Sequence, residues 1–427
     1  MSTLPPFNGF PVREHLSWAQ APGVLVPHDL PAVPDVTEAL CTVLDRPLGL
    51  DGPALAAFRP GDTVAIAVPD ASRKAGVPLL LPPLLARLAS AGVREEDIFF
   101  FFALGVHRPA TDEEQSRILG GQIYARFKER CRNHDAHNAA SLVRVGRTVR
   151  GTDVYLNRQV CECARLILVG SVVPHYFAGF GGGRKALVPG LSGAQTIAHN
   201  HALNLHPVEP RLNPDVRIAV LDGNPVAEDL LEAARFHPPD FIINTVLTAD
   251  GDIGAVFAGE MDAAHRAACA LAARVFCVPV QERADLVIAS IADAPNFIQS
   301  HKALVNAFAA LKPGGRIVLY APAPEGLGGA GYRRYLEMGA PESVIASLRR
   351  QADINGQTAL STLQKGPDTL MVTDLPESEV RLLGAEKADG MEDALLRARE
   401  YLAARGINRP TCMIMPRAGI TVPLPRD

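Results

Sequence analysis

Short β-branched and aromatic runs alternate with amphipathic stretches along nearly the whole chain, and this alternation restricts the fold more than any other feature. Residues 62–68 (DTVAIAV), 98–103 (IFFFFA), 166–172, 216–221 and 241–246 read as strands, too uniformly apolar for one face to meet water. Between them, residues 77–91 read as a helix with a proline-containing start and leucines on one face. Residues 112–119 read as another. The pattern predicts an α/β fold with helices on both faces of the sheet and functional loops at the carboxyl ends of its strands.

A second α/β series starts after a break near residues 276–283. It comprises a strand at 284–290 (ADLVIAS), a helix through 299–311 and a strand at 315–320 (GRIVLY). A chain of 427 residues, 48% of them hydrophobic, can fill more than one core. The expectation is therefore two α/β domains with a cleft between them, over residues 1–279 and 280–405, and a tail, 406–427, returning to pack on the first. LKPGGRIVLY (311–320) resembles a strand entry of Rossmann-type methyltransferases, but its physical content is a helix stop, a turn and a buried strand. The Gly/Pro-rich residues 321–331 read as a surface loop.

Composition removes several classes. A formal net charge of −4 gives no basic field for nucleic acid, and one Trp with seven Tyr gives no stacking surface. No run approaches the roughly 18 apolar residues of a membrane span. The first ten residues lack the basic and apolar regions of a signal peptide. A cytoplasmic protein with no membrane or nucleic-acid partner is expected. Seven scattered cysteines point to a reducing compartment, and the CxC pair Cys161/Cys163 reads as structural thiols beside a buried strand.

The chemistry-bearing residues gather in residues 172–201, VVPHYFAGFGGGRKALVPGLSGAQTIAHNH. Three glycines, Gly181–Gly183, permit close backbone approach to a ligand, although taken alone they are better explained by a sharp turn between packed elements. This is not a phosphate-binding Walker loop, because Lys185 has Arg184 before it and Ala186 after it. His199 and His201 stand two apart and on a helix cannot face one site, so only one of them is a candidate ligand. Asp70-Ala71-Ser72-Arg73 follows the first strand, and Gly105-Val106-His107-Arg108 the second. If those strands are parallel neighbours, both loops open on the sheet edge that carries His175. Arg73 could grip a carboxylate or phosphate, and Asp70 is as readily a turn or helix cap.

The blocks PDASR (69–73), LGVHR (104–108), PHYFAGFGGGRKALVPG (174–190) with His201, and IQSHKAL (298–304) resemble the nickel-dependent lactate racemase family from about residue 35 onward. The resemblance implies a cofactor, the nickel-pincer nucleotide (pyridinium-3,5-bisthiocarboxylic acid mononucleotide with nickel). Lys185 would join one of its arms as a thioamide and His201 would complete the nickel coordination. It further implies His107 and His175 as paired acid/bases, and Asp70, Ala71, Ser72 and Arg73 as a loop contacting cofactor and substrate. Gln299 and Lys302 would hold the substrate. Ser72 stands where the family usually has Thr, and Ile298 where it often has Tyr. Enzymes that build the cofactor are implied partners.

That chemistry suits these residue types. Proton removal at C2 of a 2-hydroxy acid is hard, because the adjacent carboxylate stabilises a carbanion poorly. Loss of hydride with the hydroxyl proton gives a planar 2-keto acid, and hydride return to the other face inverts the centre. Each enantiomer then needs its own base, which two histidines from different loops can provide. Two other readings stay open: a pyridine-nucleotide dehydrogenase, although no GxGxxG follows the first strand, and a carrier of the nickel nucleotide. A zinc hydrolase would need a motif such as HExxH, which is absent from the sequence. The substrate side chain is unread; Arg184, His301 and Ile298 are the residues that could tune it, an extra cation favouring a second carboxylate.

Overall fold

The computed structural model describes residues 5–351 and 353–425, so the amino-terminal reading and the outer ends of the expected domains fall partly outside the described residues. Contacts divide the chain into two compact units, residues 29–204 with 214–273, and residues up to His28 with 205–213 and everything from Arg274 onward.

The first unit is built on six strands: β1 (Val64–Pro69), β2 (Ile98–Ala103), β3 (Cys131–Asn133), β4 (Arg165–Ser171), β5 (Phe241–Leu247) and β6 (Ile253–Gly259), in the order β6-β5-β4-β1-β2-β3. All neighbours are parallel except the edge pair β5–β6. Side chains alternate between two cores. Val64, Ile66, Val68, Phe100 and Phe102 face α1 (Val77–Ser90), whose Leu80, Leu81, Leu84 and Leu88 fill that side. Ala65, Ala67 and Phe101 face the other side, against Phe177, Leu187 and Val188 of the histidine- and lysine-bearing segment. The small alanines there leave room for that segment to lie on the sheet. A second short helix, α2 (Asp112–Leu119), starts with a capping box between Thr111 and Glu114.

The expected strand at 216–221 does not form. Its backbone turns at Ala219 (φ 58°), whose N–H donates to the Gly179 carbonyl. The Asn224 amide takes the carbonyls of Arg217 and Val220, so a side chain supplies what a ladder partner would have.

The second unit carries β7 (Ala284–Ser290), β8 (Leu311–Tyr320), β9 (Thr369–Val372), β10 (Glu386–Lys387) and β11 (Cys412–Met415), all parallel. Of the tail expected to return to the first domain, Val422–Pro425 pairs with Cys277–Val280 at the boundary expected for that domain, while Cys412–Met415 supplies β11, which pairs with β7 over Leu286↔Cys412 to Ala289↔Met415. The short strand Gly23–Val24 then closes the outer side of β11. The physical reason is the open hydrogen-bonding edge of β7, which β11 satisfies and the amino-terminal segment extends. Among the described residues no helix is long and apolar enough to cross a membrane.

Candidate active site

Three loops leave neighbouring parallel strands of the first unit. Pro69 of β1 registers with Ala103 of β2, and β4 pairs along the other side of β1. The carboxyl ends of these strands thus emit residues 70–73, 104–108 and the segment beyond 172 from one edge of the sheet.

Asp70 has two roles in its loop. Its Oδ1 accepts from the Ser72 N–H at 2.8 Å and the Ser72 hydroxyl at 2.5 Å, forming a turn. Its Oδ2 lies 3.0 Å from His107 Nδ1. Burial pushes the Asp70 carboxyl up, but the His107 hydrogen bond, the Arg73 and His107 charges and the Ser72 hydroxyl outweigh it and hold the group well below the usual carboxylate range. An ionised Asp70 only accepts, so His107 Nδ1 carries the proton and Nε2 is the basic atom. The His107 side chain is half-exposed, and Arg73 and Ser72 are exposed beside it. Ala71 packs against the core beneath.

His175 is fixed in the opposite sense to solvent exchange at Nδ1. The Phe177 and Ala178 N–H groups point at that atom from 3.4 and 3.3 Å. A nitrogen that accepts twice carries no proton, which places the proton of the neutral ring on Nε2. Nε2 lies 3.3 Å from Lys185 Nζ. Burial, then the charges of Arg73 and Arg184, push the Lys185 amine well below its ordinary value. That shift favours the uncharged amine, the form that can accept the Nε2–H.

Phe177, 3% exposed, is the hub that brings these groups together. Its ring centroid lies 4.4 Å from that of His175, 5.2 Å from Lys185 Nζ and 4.7 Å from the His201 ring. His201 sits on α3 (Ala194–Ala202), buried, while His199 on the same helix is exposed, as their spacing requires. Burial and the neighbouring Lys185 push His201 down to about 3, so its ring is neutral. Its Nδ1 is buried and has no hydrogen-bond partner among the described residues. A neutral imidazole with an orphaned nitrogen is a metal donor in waiting, and the nearby Lys185 amine is pushed toward its uncharged, nucleophilic form; both fit a tethered metal cofactor. Among the described residues no group of three His, Cys, Asp or Glu side chains forms a protein-only metal cluster.

In the second unit, Gln299 and Lys302 lie in the first turns of α6 (Phe297–Ala309, numbering on from α4, Pro225–Arg235, and α5, Met261–Phe276). Lys302 Nζ donates to Gln299 Oε1 at 2.8 Å, so the pair presents one cation and one amide as a unit. Ile298 is packed against that unit's core, and His301 is 1% exposed. Arg184, read from sequence as a residue that could reach substrate, is 2% exposed and turned into the protein, where Nη1 donates to His265 Nδ1 at 2.7 Å. It therefore gives no support for a second substrate carboxylate. Cys161 and Cys163 pack on the core and burial pushes both thiols up, as structural cysteines should.

Sequence reasoning missed three supporting residues. Asp229 on α4 is fully buried and accepts from Thr148, Thr152 and Asn200, the last adjacent to His201. Asn244 Oδ1 accepts from the Gly183 N–H at 2.8 Å. His265 on α5 is fully buried. A signal existed for two of them: Asp229 and His265 each stand on the apolar stripe of an amphipathic helix, where a polar residue requires a partner.

Fold and site define an α/β protein with a histidine- and lysine-bearing centre at the carboxyl edge of a parallel sheet. Residues 13–212 match the family model of the lactate racemase N-terminal domain. Lactate racemase from Lactiplantibacillus plantarum is 34% identical over 292 residues, 68% of this chain and 66% of that protein. Lactate racemase from Thermoanaerobacterium thermosaccharolyticum is 32% identical over 276 residues, 64% of this chain and 62% of the relative. The matches thus span just under two thirds of these relatives' length. The structure of the lactate racemase apoprotein from T. thermosaccharolyticum superposes with a TM-score of 0.83 at 26% identity, covering 96% of this chain and 95% of that one. A Thermotoga maritima protein, 17% identical with a TM-score of 0.67, shares the fold. The chain belongs to the lactate racemase family.

Proposed function

We propose that the protein is an isomerase, a racemase or epimerase of a lactate-like 2-hydroxy acid, working with a nickel-pincer nucleotide joined to Lys185 and ligated by His201. The observation that carries this reading is the convergence on Phe177 of a lysine amine that burial pushes toward its uncharged form, a neutral buried imidazole and the His175 ring. Lys185 would hold the cofactor covalently and Arg73 would meet its anionic groups or the substrate carboxylate. Because the chain offers one imidazole, the remaining nickel donors would come from the cofactor. When bound, that group supplies a reversible acceptor for the C2 hydride.

The chain's own residues handle the proton and the carboxylate. His107 takes the substrate hydroxyl proton on Nε2, because Asp70 holds Nδ1–H and stabilises the imidazolium that forms. His175 takes and returns a proton at Nε2 only in the tautomer that carries its other proton on Nδ1, so the two backbone amides that face Nδ1 here must give way when the ring acts as a base. Two bases from separate loops serve the two enantiomers in turn. Arg73 would hold the substrate carboxylate so that the keto acid stays bound between the half-reactions; Gln299 and Lys302 are substrate-holding residues on the family resemblance alone.

The test is racemisation of D- and L-2-hydroxy acids by cofactor-loaded protein, followed by chiral chromatography. Substituting His107 or His175 by Asn should lower kcat by about 10²- to 10⁴-fold in both directions. Retained turnover in either variant contradicts the two-base mechanism. Nicotinamide-dependent keto acid formation would instead favour a dehydrogenase.

A further inference from the structure

Arg184 and Lys185 are neighbours in one 3₁₀ turn, Gly183–Ala186, yet their side chains enter opposite surroundings. Lys185 reaches His175, whereas Arg184 is buried with no carboxylate in ion-pair distance among the described residues. A buried guanidinium without an anion is costly. Its partner here is an imidazole: Arg184 Nη1 donates to His265 Nδ1 at 2.7 Å, and Nη2 reaches the Ala227 carbonyl at 3.4 Å. Arginine cannot accept, so His265 Nδ1 is bare and Nε2 carries the proton. Nε2 donates to the Gly181 carbonyl at 2.8 Å. Burial and the Arg184 charge push His265 down to about 3, which keeps the ring neutral.

One imidazole therefore ties residue 181 to residue 184 across two glycines. The glycines are there for this packing. A Cβ on Gly182 would stand 2.5 Å from Asn244 Oδ1, and one on Gly183 would stand 2.6 Å from the His265 ring. Both residues also have positive φ, at 72° and 53°. The loop is held from below by Asn244 and His265, so its close backbone approach is to the protein's own side chains.

We infer that His265 is a positioning residue for Lys185: by bridging the Gly181 carbonyl and the Arg184 guanidinium it fixes the turn that presents the Lys185 amine, before any cofactor is attached. The significance of this bridge rests on the reading of Lys185 as the attachment point, but the bridge itself can be tested without cofactor. Trace acetylation of the cofactor-free full chain with acetic anhydride, in which the amine gains the acetyl group and acetate leaves, reads the presentation of Lys185 against exposed Lys128 by peptide mass spectrometry. The variants are His265→Gln, which keeps a donor and an acceptor, and His265→Leu, which keeps neither. The double variant Arg184→Met/His265→Leu leaves no unpaired buried charge, and supplies the measurement even where the single Leu variant fails to fold.

The Lys185-to-Lys128 ratio should fall at least about tenfold in the Leu variants, as expected when a reacting group is misplaced by an ångström or so. The Gln variant should stay within about twofold of the unsubstituted protein, as a retained bridge requires. A folded double variant that acetylates Lys185 at the original ratio overturns the inference, as does a folded Gln variant that behaves like the Leu variants. Cofactor mass on Lys185 is a separate readout: its absence in the unsubstituted protein would defeat the functional reading and leave the acetylation result standing.

Discussion

Two opposing effects meet at Asp70, and their balance sets the chemistry of His107. Burial favours the neutral acid, while three partners, His107, Arg73 and Ser72, favour the carboxylate and prevail. An Asn at this position would offer an N–H to the ring and turn the tautomer over, leaving no basic nitrogen toward substrate. Asp70→Asn should therefore lower kcat by about 10²- to 10⁴-fold with little change in thermal stability, measured by racemisation and thermal unfolding. A second consequence concerns pH. His201, His265 and His301 are each pushed from an ordinary 6.5 to about 3, burial being the largest cause in every case. Below 6.5 the unfolded chain binds protons that the folded chain refuses, so stability present above that pH is lost as pH falls toward about 3. Urea unfolding between those limits should show proton uptake, reduced in His265→Gln. Flat stability across the window contradicts the neutral-histidine assignment. Sequence made His107, His175, Lys185 and His201 legible because the motif blocks are long and unusual. It could not tell which ring nitrogen is occupied, since Asp70 and the backbone amides of Phe177 and Ala178 do that through folded geometry.

Among the elements, α3 matters most because it carries His201, and a buried acid holds it. Asp229 on α4 accepts from Asn200 of α3 at 2.9 Å and from the hydroxyls of Thr148 and Thr152 at 2.6 and 2.9 Å. Removing the carboxylate strands three buried donors, so Asp229→Ala should cost about 3 kcal/mol in urea unfolding. A cost within the roughly 0.5 kcal/mol typical of a surface change would show that the network does not hold α3. Strands of the first sheet were legible because burial on both faces leaves runs such as IFFFFA. Residues 216–221 carry similar apolar character but no free ladder edge, and Asn224 captures their carbonyls instead. Local pattern alone cannot reveal such a competitor.

At the scale of the whole molecule, the chain passes between its two compact units at four places, near residues 28, 204, 213 and 273. The sequence break near 276–283 located the second α/β series, but not the returning pieces. Those are too short to carry a pattern: Gly23–Val24 has two residues and β11 four. A fragment of residues 280–405 lacks β11 and leaves the edge of β7 open. It should show broad, poorly dispersed amide resonances, while the full chain folds; a well-dispersed spectrum would contradict the described strand order. The central claim, that Lys185 carries the cofactor, is tested most directly by intact mass and metal analysis of the full chain produced alongside the enzymes that build the nickel-pincer nucleotide. The account predicts a mass increase mapping to the Lys185 peptide, about one nickel per chain as single-imidazole ligation implies, and neither in Lys185→Ala. An unmodified Lys185 peptide and no bound nickel in the unsubstituted protein would contradict it.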